Sequence, residues 1–370
     1  MTKMRTVPSI ESTSIQPSVS GRESSGHVGV FAVAWEDASE STSGKMTAHG
    51  HSRAMRNVAV IYNPASGQHS LRRASDMQQV FAALADEGIQ VHALETDSPG
   101  SAARHAEDAI RLGCDAVFAC GGDGTVHEVM QCMVGTQIAL GVIPMGTANA
   151  LAQDLGLGRS PLKALRALLA ATPTQVPVGR IHFVDKAGVQ DARYFIVAAG
   201  IGADALLMSR LDAGLKRRLG YALYLVEAAR VWLTNPFPLF KAIFALESDT
   251  TERVEEVSQL LAVRVRSFGG VLGQLAPGAT LHNGTLRLLA FKTRSRYRYL
   301  RFLLAVLTGK HTFTGAVEIL DAASVTCRHR NGSAASIYVE ADGEVLGTIP
   351  ARIEVAPQKV TLLIPAHARP

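Results

Sequence analysis

The sequence predicts an α/β protein in which a parallel-sheet α/β domain is followed by a mainly antiparallel, β-rich second domain. Two observations carry this. Between Asn57 and Ala171, short and almost uninterrupted apolar runs alternate with helical stretches. That is the pattern of parallel strands covered on both faces. Beyond Val176, strand-like runs outnumber helical ones and the alternation is lost.

The first 55 residues stand apart. Sixteen are Ser or Thr, and five basic side chains balance five acidic ones, with only Val28 to Trp35 able to form a short strand. This segment, 1–55, cannot bury enough apolar surface to offset its ordering entropy and reads as a disordered extension.

NVAVIY (57–62) is the first strand and breaks at NPASG (63–67). A helix follows, with Leu71, Ala74, Met77, Phe81 and Leu84 on one face and Gly88 as its stop. IQVHALET (89–96) is the second strand, and 97–113 a helix capped by Asp97 or Ser98 and ended by Gly113. DAVFACGG (115–122), a helix over 125–135, IALGVIP (138–144) and a helix over 161–171 complete the first domain, 56–175. The second domain, 176–354, has strands at 176–184, 193–200, 237–246, 259–268, 284–291, 315–322 and 336–342, and helices at 204–213, 219–233 and 296–308. KVTLLIP (359–365), within a last stretch of about 355–365, is expected to return to the first domain.

Composition narrows the function. The chain has 370 residues, of which 47% are apolar, enough for two domains. A net charge of +5, all of it on residues 56–370, excludes a polyelectrolyte and is too mild for a nucleic-acid binder. It does permit docking on an anionic membrane surface. Four cysteines without a C-x-x-C pair indicate a reduced, intracellular chain with no zinc site. No apolar run reaches the ~18–20 residues of a membrane span, and the N-terminus lacks an apolar signal region. The expectation is a cytoplasmic protein that meets a membrane only from the side. The oligomeric state stays open, a homodimer included.

Three loops at the carboxyl ends of the first-domain strands are unusual, and that edge is where α/β sheets bind ligands. They are NPASG, GGDGT (121–125) and PMGTANALA (144–152). In GGDGT, Gly121, Gly122 and Gly124 let backbone N–H groups approach an anion, and Thr125 opens the next helix, where orphan amides favour phosphate. Asp123 would repel a phosphate unless a cation such as Mg²⁺ intervenes or it accepts hydrogen bonds. A plain Gly-rich turn with an Asp cap is the alternative for one such loop. Gly146–Thr147 repeats the solution at the adjacent strand, which favours a binding site.

NPASG, GGDGTVHEV, PMGTANALAQDLG, AAGIGADA (198–205), LGYALYL (219–225) and EADGE (340–344) occur in the order and spacing of the diacylglycerol kinase catalytic-domain family. The chain resembles that family, which includes bacterial lipid kinases and the sphingosine and ceramide kinases, from about Asn57 to Pro365. The resemblance implies an α/β nucleotide domain, a β-sandwich-like second domain and an active site in the cleft between them. It implies ATP held by Asn63, Pro64, Ala65, Ser66, Gly67, Thr96, Gly121, Gly122, Asp123, Gly124, Thr125, Val126, His127 and Thr147. Glu344 matches the general base that takes the proton of a lipid hydroxyl, Asp342 is its neighbour, and Asp204 matches an acid of the Mg²⁺ network. From position alone, Glu344 reads as a solvated residue of the turn Asp342–Gly343, and only the resemblance makes it a base.

Two departures from the family pattern stand out. Gly146-Thr147-Ala148-Asn149-Ala150 lacks an acid that many bacterial members carry, and it looks more like the sphingosine and ceramide kinase form. In LHNGTLRLL, Asn283 stands where the bacterial pattern has an Asp ligating a structural Mg²⁺, with Thr280 and Thr285 at the flanking sites. A neutral amide is a poorer Mg²⁺ ligand than a carboxylate.

The sequence carries lesser signals too. Gly200–Ala205 fits G-x-G-x-x-A but lies too deep in the chain for a dinucleotide fold, and GKHT (309–312) lacks the rest of a Walker loop. His127 and Glu128 have no second His at i+4, so Glu128 reads as a cap or brace of the GGDGT loop rather than a metal ligand. RSRYRYLRFLLAVLTGK (294–310) reads as a basic amphipathic helix, with Leu300, Leu303, Leu304 and Leu307 on one face and Arg294, Arg298 and Arg301 on another. It either rests on anionic lipid or packs its leucines on the second domain. Lys216, Arg217 and Arg218 add basic charge with a similar ambiguity. The sequence thus points to an ATP- and Mg²⁺-dependent kinase of a membrane lipid, diacylglycerol or a sphingoid base. An NAD kinase and a catalytically silent lipid or nucleotide sensor are the alternatives.

Overall fold

The computed structural model describes residues 55–64, 70–210, 227, 229–246, 252–268, 275–307, 315–330 and 336–368. The N-terminal extension, Ala65 to Gly67, Lys216 to Arg218, LGYALYL and GKHT lie outside the described residues.

The first half is a parallel sheet in the order β4–β3–β1–β2, built from β1 (Asn57–Tyr62), β2 (Gln90–Glu95), β3 (Ala116–Gly121) and β4 (Ala139–Pro144). Every residue of β3 and β4 is buried, as expected for strands covered on both faces, whereas the edge strand β2 is half exposed. Helices α1 (Ser70–Asp86) and α5 (Pro161–Leu169) pack together, as do α2 (Ser101–Arg111) and α3 (Asp123–Met133). A short α4 (Ala150–Asp154) lies between β4 and α5, where sequence periodicity shows no helix because five residues are too few to display one.

The cap expected at Asp97 or Ser98 is not used. Gly100 occupies the N-cap of α2 with φ +80° and no side-chain bond, so Asp97 and Ser98 sit too early in the chain to cap the helix. Glu128 accepts the Ala102 N–H at 3.2 Å, so it braces the start of α2 rather than the GGDGT loop.

The second half is antiparallel. It contains β5 (Thr172–Val184), β6 (Gln190–Phe195), β7 (Ala198–Ile201), β8 (Phe240–Ala245), β9 (Arg253–Val257) and β10 (Gln259–Val263). It continues through β11 (Leu286–Phe291), β12 (Val317–Ala322), β13 (Ser324–His329), β14 (Tyr338–Ala341) and β15 (Glu344–Ile364). Two helices are described here, α6 (Ala203–Arg210) and α7 (Arg296–Leu307), with a further helical stretch at 229–234. β9 and β13 are charged or polar enough to escape a hydrophobic reading.

KVTLLIP is the end of a strand of 21 residues rather than a strand by itself. β15 pairs antiparallel with β14, β5 and β13, then runs parallel to β4, with Leu362 opposite Leu140. It joins both halves into one sheet. The single strand expected at 193–200 is broken at Ile196–Val197, because the amides there turn to a side chain described below. Among the described residues no helix is long and apolar enough to cross a membrane.

Candidate active site

Parallel strands bring their carboxyl ends to one edge, so Asn63, Thr96, Gly121–Thr125 and Thr147 share it. Backbone bonds stitch these ends together: Asn63 N–H to Cys120 O (3.1 Å), Thr96 N–H to Tyr62 O (2.9 Å) and Met145 N–H to Gly121 O (2.9 Å). The two glycine loops touch backbone to backbone, since a Cβ on Gly146 would lie 2.5 Å from the Gly122 Cα. Only glycine allows this approach.

Asp123 locks the pair. Its carboxylate accepts the N–H groups of Asn149 (2.9 Å) and Ala150 (2.7 Å), which are the orphan donors at the start of α4. Asn149 in turn holds Gly146 through two 2.9 Å bonds and adopts φ +50°. Burial pushes the Asp123 carboxyl upward against these hydrogen bonds. Asp123 therefore positions the loop. Thr125 is buried against Gly121 and Val126 is buried as well, whereas Pro64, Gly124 and Thr147 are exposed on the rim.

The EADGE segment forms a two-residue turn between β14 and β15, with Asp342 at φ +49° and Gly343 at φ +85°. Both central residues take positive φ, as in a type I′ hairpin turn. Unlike most turn residues, Asp342 points inward, its side chain 4% exposed. It accepts the amides of Ile196 (3.0 Å), Val197 (2.9 Å) and Ala198 (3.0 Å), the bonds that break the strand there. It also faces Nδ1 of His127 at 3.2 Å. Glu344 remains 60% exposed, with Oε2 3.5 Å from His127 Nε2.

His127 thus joins the two halves of the site. It lies on the helix that GGDGT opens, and its buried ring sits between the carboxylates of the opposite hairpin. Its imidazole is enclosed by protein, so it is not open to a nucleotide as expected from the motif. No sequence periodicity shows this contact, which spans 215 residues.

The metal residues behave in two ways. Both carboxylate oxygens of Asp204 are buried and have no hydrogen-bond partner among the described residues. A Cβ on Gly200 would fall 1.8 Å from Asp204 Oδ2 and 2.7 Å from Glu340 Oε1, so the two acids share one cradle above that glycine. Burial raises Asp204 to about 7 and drives Glu340 well above the usual carboxylate range, aided by the charge of Asp204. Glu340 Oε2 also accepts the Gly343 N–H at 2.9 Å, so one acid of the pair is unpartnered among the described residues and the other keeps Oε1 toward it, an arrangement that fits a divalent cation. Glu340, the first residue of EADGE, was missed as part of this group because an acid at a buried strand position carries no signal in sequence.

Thr280, Asn283 and Thr285 do not fit one. The Thr280 carbonyl accepts the Asn283 N–H (3.3 Å), and the Asn283 amide donates to Gly278 O (3.3 Å). Behind the loop lies Arg264, 1% exposed, whose Nη2 donates to Pro177 O (3.0 Å), Leu281 O (3.1 Å) and Asn283 O (3.1 Å). Burial lowers this guanidinium to about 10, which leaves it positive at neutral pH. Neutral ligands beside a fixed positive charge make a poor divalent site.

Comparison with known proteins places the chain in a family. The diacylglycerol kinase catalytic domain matches residues 57–181, and the YegS C-terminal NAD kinase beta sandwich-like domain matches residues 196–364. Fold and site together define a phosphotransferase of the kinase class. A diacylglycerol kinase of Mycobacterium tuberculosis strain H37Rv is 28% identical over 314 residues, 84% of this chain and 96% of that protein. "Probable lipid kinase YegS" of Salmonella heidelberg strain SL476 is 30% identical over 229 residues, 58% of this chain and 69% of its relative. A solved diacylglycerol kinase from Bacillus anthracis strain Sterne has the same fold, with a TM-score of 0.61 at 20% identity, covering 85% of this chain and 99% of that one. The chain belongs to the diacylglycerol kinase catalytic-domain family.

Proposed function

We propose that the protein transfers the γ-phosphate of ATP to a hydroxyl of a membrane lipid, diacylglycerol or a sphingoid base. The observation that carries this reading is the meeting of the GGDGT helix and the EADGE turn at His127, which sets an exposed carboxylate beside the helix that the glycine loop opens.

Phosphoryl transfer asks the protein mainly for positioning and charge stabilisation. The rigid Gly121–Thr125 and Gly146–Thr147 loops would cradle the phosphates through amides at the α3 N-terminus. Asp123 keeps both loops in register by holding Asn149 and Ala150. Asp204 and Glu340 would hold Mg²⁺, which supplies neutralisation of the β/γ-phosphate charge. Glu344, exposed at the start of β15, takes the proton of the attacking hydroxyl.

Docking on an anionic membrane surface is part of the same reading, and α7 supports it. Its inner face is Tyr299, Phe302 and Val306, with Tyr299 stacked on Phe237 and Phe291 at 4.4 and 4.9 Å. Leu300 and Leu304, expected to pack inward in the non-membrane alternative, are 38% and 52% exposed beside Tyr297 at 70%. Arg294, Arg298 and Arg301 are exposed too. The side chains of Leu303 and Leu307 lie outside the described residues.

The direct test is phosphorylation of a total lipid extract with labelled ATP and identification of the product by mass spectrometry, with NAD run in parallel. A phosphorylated lipid supports the reading. Phosphorylated NAD with no lipid product overturns it.

A further inference from the structure

We propose that His127 is the second station of the proton removed from the acceptor hydroxyl: Glu344 takes the proton and passes it to Nε2 of His127, and Asp342 holds the resulting imidazolium. This rests on reading Glu344 as the base.

The argument starts from the tautomer. Asp342 accepts three backbone N–H groups, and its fourth neighbour is Nδ1 of His127 at 3.2 Å. A carboxylate only accepts, so Nδ1 carries its proton toward Asp342. Gln131 then fixes the other side of the ring. Its Oε1 accepts the Tyr194 N–H (3.0 Å) and its Nε2 donates to Tyr194 O (2.8 Å), which leaves no freedom to flip the amide. The second hydrogen of that amide faces His127 Nε2 at 3.3 Å. With Nδ1 protonated, Nε2 is the acceptor of the ring, and it has the Gln131 amide at 3.3 Å and Glu344 Oε2 at 3.5 Å as neighbours.

An imidazole behind an exposed carboxylate, with a buried carboxylate behind it, is an arrangement for moving a proton inward and stabilising it there. The charged groups around the ring agree. Burial pulls the imidazole down, the hydrogen bond and charge of Asp342 and the charge of Glu344 push it up, and Arg193 opposes them; the balance lies above the ordinary histidine value. In the step itself, the lipid O–H bond breaks as the O–P bond forms. The bond from the γ-phosphorus to the bridging oxygen breaks with its electron pair on ADP. The proton rests on Nε2 and leaves through exposed Glu344 as the products depart. His127 acts through Glu344 and is a positioning and relay residue.

The test uses the full chain and two variants. In substrate-free protein, the His127 imidazole followed by NMR should titrate above the ordinary histidine range, and Glu344→Gln should lower that midpoint by about half a pH unit or more. Glu344→Gln replaces an exposed side chain, so its folding is not at stake. In turnover, His127→Gln should lower kcat about tenfold or more with KM for ATP unchanged, and should abolish the acid limb of the kcat–pH profile. A His127 midpoint indifferent to Glu344→Gln overturns the relay. So does a folded His127→Gln enzyme with the wild-type kcat and pH profile. If Glu344→Gln turns over normally, the base assignment falls with it. If Glu344→Gln is inactive and His127→Gln is normal, only the relay falls.

Discussion

At the scale of single residues, the site depends on side chains that spend their polar atoms on backbone. Asp123 satisfies two amides of the GTANA loop and Asp342 satisfies three of the Ile196–Ala198 bend. Asp123→Ala strands two part-buried donors. We expect a loss of about 1–3 kcal/mol in stability and weaker ATP binding, measured by urea unfolding and calorimetry; unchanged ATP affinity would remove Asp123 from the loop's support. The sequence shows that an Asp lies among glycines but not what it holds, because its partners lie 26 and 27 residues away. The positions of Asn63, Thr96, Gly121–Gly124 and Thr147 at one edge were legible, since parallel strands force their carboxyl ends together. The burial of His127 was not, since its partners come from the other end of the chain.

At the scale of elements, α7 departs most instructively from its sequence. Counting leucines puts Leu300, Leu303, Leu304 and Leu307 on one face without saying whether it meets lipid or the second domain, and for Leu300 and Leu304 aromatic stacking decides. Tyr299 and Phe302 meet Phe291 and Phe237, and the Tyr299 hydroxyl bonds Ser258 at 2.8 Å. Leu300 and Leu304 then turn outward with the arginines. Each arginine near an anionic surface contributes about 1 kcal/mol, so Arg294, Arg298 and Arg301 changed together to Glu should weaken binding to phosphatidylserine vesicles on the order of a hundredfold or more. Unchanged vesicle sedimentation would remove α7 from the membrane reading. The β14–β15 hairpin is the opposite case: an Asp-Gly pair between apolar runs announces its turn locally, and the structure has it there.

At the scale of the whole molecule, β15 makes one sheet of a parallel and an antiparallel half, carrying Glu344 at its start and the partner of β4 at its end. The fold class was legible because alternation and its loss are visible over tens of residues. The continuity of β15 was not, because Pro350 and the polar stretch Ala356–Lys359 interrupt its apolar pattern. The buried acids impose a pH dependence on the metal-free protein. Asp204, at about 7 in the fold against 3.8 unfolded, keeps a proton that the unfolded chain releases, as does Glu340. The Asp204 contribution is complete below pH ~4 and is lost as pH rises through about 7, and Glu340 acts in the same direction. In EDTA, the urea midpoint should therefore fall from pH 5.5 to pH 8, and Asp204→Asn should flatten that fall. A midpoint that rises over this range would contradict the shared cradle.

The central claim is that the glycine loops and Glu344 form one site for moving phosphate from ATP to a lipid hydroxyl. Comparing ATP-dependent lipid phosphorylation by the wild type and Glu344→Gln, with ATP binding measured on both, tests it most directly. The account predicts retained ATP binding and a rate reduced about 10²–10⁴-fold, the usual contribution of a positioned base. Near-wild-type lipid phosphorylation by Glu344→Gln would contradict it.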